Sequence, residues 1–302
     1  HFELETVCMP SWNPVQNALE QGQVDATFIL APIAMDLFNF GVPIKLVLSA
    51  QKNGSIFVRK RNGAQAESLA QFFRGKTVYI PHEMSVHHML SHMFLRGIDL
   101  QPGFEGMGDF DTFFEVVPPI QMPEFLADNP EAGGFSVAEP LGSKAIVEDI
   151  ADAIFLSGEL WENHPCCVVA VRDELVEQNA DAVQEFISML VQAGQCMDQK
   201  PETAAAIGVP FLDPDKTLGL TEAGLESVLK ESYGIKTNDM FPVIEDFDRI
   251  QRYMVEEMEI GTLIDLEKFV DTRFAEVACK DIESQQSVMH DVSKIVSKIT
   301  GQ

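Results

Sequence analysis

Short runs of alternating or continuous apolar residues, separated by stretches with helical periodicity, organise most of the chain. Six runs predict strands: Phe2–Val7, Ala26–Leu30, Ile44–Ser49, Ile56–Arg59, Thr77–Ile80 and Val168–Val171. Each is rich in β-branched or aromatic residues or is bounded by Gly, Pro or Asn. A seventh, Phe113–Val117, ends at Pro118-Pro119. The clearest helix follows Asn179, a predicted N-cap, with Val183, Phe186, Ile187, Leu190 and Val191 on one stripe. Strands alternating with amphipathic helices predict an α/β architecture around a largely parallel sheet.

One scheme occurs twice. Ala18 to Pro32 reads as helix end, Gly turn, strand, then Pro at a helix start, and Phe125 to Pro140 repeats it about a hundred residues on. Two similar α/β lobes are therefore expected, with a polar connection at Arg59–Gln65 and a second crossing near Val171–Glu174. The predicted division is residues 1–74 plus 172–280 in one lobe, 75–171 in the other, and an additional C-terminal helix within 281–302. Such an arrangement makes a cleft where strand C-termini and helix N-termini converge on a ligand, with closure about the crossings.

Composition narrows the partners. The 302 residues carry 21 Lys plus Arg against 47 Asp plus Glu, a formal net charge of −26. No clustered cations are present to neutralise phosphates, so nucleic acid is excluded as a partner, and an anionic membrane surface is disfavoured. A small anion remains compatible, because surface charge is screened within about 8 Å at physiological salt. The longest apolar run, Phe28–Met35, is far short of the roughly 20 residues needed to cross a bilayer. Five scattered cysteines predict neither a disulfide framework nor a zinc site.

Candidate ligand contacts come from places where strands hand over to helices. After Thr77–Ile80, His82 and Ser85 border a helix start, where free N–H groups favour an anion; a loop histidine and a plain cap are the ordinary alternatives. His88 and His92, at i and i+4, project opposite the apolar stripe of Val86, Met89, Leu90, Met93 and Phe94, and are read as a solvated face. Trp12 stands at another helix start. Gln51, Asn53 and Gly54 follow a strand and offer amides and backbone as donors, or form a turn. Glu139-Pro140 ends a strand, and Lys144 lies one turn into the next helix, placed to neutralise an anion or to pair with Glu148. Alternation sends Cys166 and Cys167 to opposite faces as packing residues. No nucleophile elbow, P-loop, H-E-x-x-H or G-x-G-x-x-G is present, so no catalytic residues, metal or cofactor are predicted.

Four ordered stretches carry a family resemblance: Ile80-Pro81-His82 through His87-His88, Val116 to Met122, Ala138-Glu139-Pro140, and Leu160 to Pro165. In this order they resemble the NMT1/THI5-like solute-binding proteins of ABC importers, in the nitrate, bicarbonate and sulfonate branch. The likeness runs from about His1 to Cys279, with Asp265–Asp271 matching the usual C-terminal helix. It implies a type II periplasmic-binding fold that closes on a small oxyanion and delivers it to a membrane permease. It also implies an extracytoplasmic, often lipid-anchored location, with no signal segment in this sequence. By motif position it implies Trp12, Gln51, His82 and Lys144 as contacts, with Gly54, Ser85 and Glu139 behind them. The family's opening strand and helix are not matched, Leu141 stands where Trp is common, and Cys166-Cys167 replaces Glu-Lys. An enzyme on the same fold, such as the pyrimidine-precursor synthases, would need a Cys-rich iron motif. A ligand-sensing module is the remaining alternative. A helix over Asp281–Ile299 lies outside the usual ending, and is expected to dock on the first lobe, pair two chains, or lead to another domain.

Overall fold

A computed structural model describes residues 2–61 and 68–300. Its strands are β1 (Ala26–Leu30), β2 (Ile44–Ser49), β3 (Ser55–Lys60), β4 (Thr77–Ile80), β5 (Pro102–Phe104), β6 (Thr112–Val116), β7 (Ala132–Ala138), β8 (Ala151–Leu156), β9 (Trp161–Glu162), β10 (Cys167–Arg172) and β11 (Val288–Met289). They build a three-stranded sheet, β1-β10-β2, a six-stranded sheet, β5-β6-β4-β7-β3-β8, and a two-stranded pairing of β11 with β9. In the larger sheet β4, β5, β6 and β7 run parallel, whereas β3 is antiparallel to β7 and β8. The smaller sheet is antiparallel.

The repeated scheme is present in both halves. The helix Trp12–Glu20 leads through Gly22, at φ 67°, into β1 and the helix Ala31–Asn39, while Met122–Asp128 leads into β7 and Leu141–Val147. Six of the seven expected strands form. Phe2–Val7 does not: it is extended, mostly exposed and outside every sheet, because no neighbour's backbone pairs with it there.

Sheet membership moves the expected divisions. β3 belongs to the six-stranded sheet and β10 to the three-stranded one, so the chain passes between sheets at 50–54 and again at 157–166, not at 74/75 and 171/172. Pairing partners decide this, and local hydropathy does not encode them. Much of the expected Arg59–Gln65 connection lies outside the described residues. Core packing runs across the division, since one apolar cluster contains Ile29, Leu46 and Phe269 of the first sheet's layer together with Phe57, Phe94 and Phe155 of the second. The helices Val86–Gly97 and Ile244–Glu256 meet between the two, where the His92 Nδ1 lies 2.9 Å from the Tyr253 hydroxyl.

The C-terminal segment departs from the expected long helix. Residues 281–291 are largely extended and contain β11, and only Val292–Thr300 is helical. It docks on the second sheet's side, not the first: Ile295 is buried, and Val292 fills the space over Gly97. The helix Ala180–Gln199 lies where expected, but Asn179 makes no side-chain capping bond, because another helix, Asp173–Gln178, runs directly into it.

Candidate functional site

Register places the predicted residues along one edge of the larger sheet. Tyr79 of β4 pairs with Phe135 of β7, Ala138 of β7 with Ser55 of β3, and Ile56 of β3 with Leu156 of β8. The ends of β4, β7 and β8 and the start of β3 therefore share an edge, which carries His82, Glu139, Gly54 and Ser157 in order. The helices Val86–Gly97, Leu141–Val147 and Ser157–Leu160 all begin there. Adjacent strands are about 4.8 Å apart, so His82 and Gly54 stand roughly 10 Å from one another. Residues of the other half face this edge. A Cβ on Gly54 would lie 3.0 Å from Ile235, one on Gly158 2.6 Å from the Tyr233 carbonyl, and one on Gly261 3.2 Å from Met84.

Ser85 is the cap of its helix, accepting from the His88 N–H at 3.0 Å and donating to the His82 carbonyl at 2.7 Å. The Met84 N–H donates to His82 Nδ1 at 2.9 Å. Burial lowers the His82 pKa, so the ring is held neutral with its proton on Nε2, a donor turned away from its own loop. Gly54, at φ 88°, accepts from the Glu139 N–H at 2.9 Å. The Glu139 carboxylate accepts from the Ser143 N–H at 2.9 Å and its hydroxyl at 2.7 Å; burial, with a smaller push from Glu231, raises its pKa.

The structure thus brings Asn53, Gly54, Glu139, His82 and Ser85 to one edge, and puts three predicted residues to other uses. Lys144 pairs with Glu148, the ordinary i+4 outcome. Gln51 hydrogen-bonds Cys167. Trp12 is half-buried against the large apolar cluster at the start of its helix.

Asn53 is completely buried, yet neither its Oδ1 nor its Nδ2 has a partner. Three more side chains at the same junction share that condition: His87 at Nδ1, Trp161 at Nε1 and His164 at Nε2. They are neighbours. The Asn53 N–H donates to the His164 carbonyl at 2.9 Å, the Trp161 and His164 rings are 5.6 Å apart, and His87 Nε2 lies 2.9 Å from the Ser55 hydroxyl. Desolvation holds both imidazoles neutral, lowering His87 to about 3, with His164 adding to it, and His164 to about 4. The Pro165 carbonyl, 3.1 Å from His164 Nδ1, can only accept, so it fixes the proton on Nδ1 and leaves Nε2 a bare acceptor. Sequence reasoning selected Asn53 but missed the other three, which come from the first turn of a helix and from the second crossing. The signals were the stretches Ile80 to His88 and Leu160 to Pro165, read at those positions for family and not for chemistry.

Two nearby lysines are already engaged, whereas Arg249 lies 5.5 Å from the Trp161 ring. Lys52 is buried with its Nζ 2.6 Å from Asp239, and Lys236 donates to Asn163 at 2.7 Å with Glu162 at 3.8 Å. Two other expectations are corrected. His88 and His92 are buried, not solvated: His88 sits edge-on to Phe104 and Phe114, and His92 contacts Tyr253, because this helix is covered on both sides. Cys166 and Cys167 hydrogen-bond one another instead of facing apart, since Cys166 precedes the strand and escapes its alternation.

Residues 2–209 match the NMT1-like family, and the chain belongs to it. It is 24% identical over 225 residues to the nitrate/nitrite binding protein NrtA of Nostoc, covering 65% of this chain and 47% of that protein. It is 26% identical to the bicarbonate transport ATP-binding protein CmpC of Synechocystis, covering 66% of this chain and 31% of that one. The chain therefore spans about half the length, or less, of these curated relatives. Among solved structures, the zinc-bound ligand-binding component of an ABC-type import system from Staphylococcus aureus superposes with TM-score 0.77 at 21% identity, covering 92% and 88% of the two chains. The periplasmic nitrate-binding protein NrtA of Synechocystis gives 0.76 at 19%, covering 95% and 81%. The fold is the α/β type II periplasmic-binding architecture of these two proteins, a ligand-binding component of an import system and a nitrate-binding protein.

Proposed function

We propose that this chain is the solute-capturing component of an ABC importer, and that its solute is a small, singly charged oxyanion of the nitrate or bicarbonate type. The observation that carries this reading is the buried, unpartnered polar set of Asn53, His87, Trp161 and His164. Each unmet buried donor or acceptor costs about 1–3 kcal/mol; a small oxyanion at the junction meets the donors Asn53 Nδ2 and Trp161 Nε1, and the hydroxyl of bicarbonate can also donate to an acceptor such as His164 Nε2. The Asn53 amide and Trp161 indole supply N–H donors, and the His82 Nε2–H and the start of the helix Val86–Gly97 lie along the same sheet edge. With Lys52, Lys144 and Lys236 already paired and the imidazoles neutral, the cation at the set is Arg249, 5.5 Å from the Trp161 ring and hydrogen-bonded to Ser287, and one guanidinium matches nitrate, nitrite or bicarbonate better than sulfate. Gly54, Ser85 and Glu139 then frame the site. The membrane permease is the partner this role requires, and it implies an extracytoplasmic location.

A thermal-shift panel of nitrate, nitrite, bicarbonate, sulfate and an alkylsulfonate tests it, because a ligand of the folded state stabilises by mass action. One monoanion is expected to raise Tm by several degrees while sulfate does not. Asn53→Gly, which removes two unpartnered polar atoms and suits the left-handed backbone at φ 54°, is expected to leave the protein folded and to abolish the shift. No shift with any of the five, or a shift that survives in Asn53→Gly, refutes the assignment.

A further inference from the structure

Beyond Cys279 the chain runs from one half of the molecule to the other, fastening to both on the way. On the first side, Asp239 Oδ2 accepts from the Gln285 N–H at 2.8 Å and the Ser284 hydroxyl at 3.2 Å. The Lys52 ammonium reaches the Gln285 carbonyl at 3.4 Å, so these two residues roof the buried Lys52–Asp239 pair. Ser287 donates to Asp246 and accepts from Arg249 at 3.1 Å, both on the helix Ile244–Glu256. At the crossing 157–166, Asn163 donates to the Gln286 carbonyl at 2.9 Å, β11 pairs with β9, and the His290 N–H donates to the Leu160 carbonyl at 2.8 Å. The helix Val292–Thr300 then seats Ile295 and Val292 against the helix Val86–Gly97, and Lys298 pairs with Glu159 at 2.5 Å.

We propose that residues 281–300 form a clasp that holds the two sheets in the closed arrangement and must detach for them to part. The physical ground is the lack of slack. Three residues lie between Gln285, held at Asp239, and Met289, held at Trp161, and the four steps span at most about 14 Å fully extended. From Asp239 on the first side, over the crossing at 157–166, to the helix Val86–Gly97 on the second, the tail is held at nearly every residue, so rotation of one sheet relative to the other has no free segment to absorb it. Detachment also admits water to the Lys52–Asp239 pair, so clasp release and opening are one event. The clasp matters to function only under the capture reading above, since it gates a cleft; its existence is tested without any ligand.

The test uses the full chain with Cys8 and Cys196, the exposed cysteines, replaced by Ser, and spin labels at the exposed positions Phe40 and Val147, one on each side of the molecule. In ligand-free protein, pulsed dipolar spectroscopy is expected to give one narrow distance. His290→Pro removes the N–H that bonds Leu160, and Ser287→Ala removes only a hydroxyl and leaves the fold intact; each is expected to raise a longer-distance population at least fivefold. Amide exchange at 285–290 is expected to accelerate about tenfold in both. A narrow, unchanged distance in variants whose 285–290 amides exchange freely overturns the clasp, as does a broad distribution in the parent. Failure of every anion in the thermal-shift panel, with the spin-label result as expected, overturns the capture reading and leaves the clasp standing.

Discussion

Lys52 shows how far a residue can be from what its neighbours in sequence suggest. It lies between Gln51 and Asn53 in a polar turn, and elementary expectation leaves such a lysine in solvent. Instead it is 1% exposed, bound to Asp239 at 2.6 Å and roofed by Ser284 and Gln285. Lys52→Met removes the cation and leaves Asp239 buried without its partner. Breaking a buried pair in this way costs about 3–5 kcal/mol, so the urea midpoint is expected to fall steeply, and Lys52→Met combined with Asp239→Leu is expected to recover much of the loss. A midpoint unaffected by Lys52→Met would show the pair to be solvated.

Among the elements, β7 is the most constrained. It lies between β4 and β3, and its Ala132–Ala138 run is buried along almost its whole length. Gly134 faces the backbone of β3 so closely that a Cβ there would lie 2.0 Å from the Val58 carbonyl oxygen. Gly134→Ala therefore forces β3 and β7 apart, at a cost of about 3 kcal/mol, and the displacement reaches the sheet edge through Ser55 and Ala138. Chemical denaturation measures the stability loss, and a variant as stable as the parent contradicts this close approach. The neighbouring helices explain what the hydropathy pattern foretold. Val86, Met89, Leu90 and Phe94 are buried as their spacing requires, and Ser85 caps as a serine at a strand-to-helix turn should. The same helix also explains a miss. His88 and His92 occupy its opposite face, and only packing against β5, β6 and the helix Ile244–Glu256 makes that face internal.

For the molecule as a whole, the buried histidines govern acid stability. Burial lowers His87 and His88 to about 3 and His92 and His164 to about 4, below the 6.5 of an unfolded histidine. The unfolded chain therefore binds the extra protons. Stability from these groups is complete above about pH 6.5 and is lost as pH falls through the window toward 3–4, by up to roughly 1.4 kcal/mol per histidine per pH unit. Glu139 and Asp246, raised by burial, act in the opposite sense and soften the loss. Urea unfolding at pH 5 is expected to give a free energy several kcal/mol below that at pH 7. A flat profile would place these rings in water.

The sequence alone determined the α/β alternation, six of seven strands, the doubled helix-strand-helix scheme and the family resemblance, because short-range periodicity and turn chemistry are local properties of the chain. It also singled out His82, Ser85 and Glu139, which lie where strands hand over to helices, and Asn53, in the turn between two strands, all of them junctions visible in one dimension. Tertiary structure alone decided which sheet β3 and β10 join, that Lys52 pairs with Asp239, and that 281–291 is a strap and not a helix. It also decided that His87, Trp161 and His164 meet Asn53 out of reach of water. Strand partners, ion pairs and burial depend on groups distant along the chain, and no local pattern records which of them will meet.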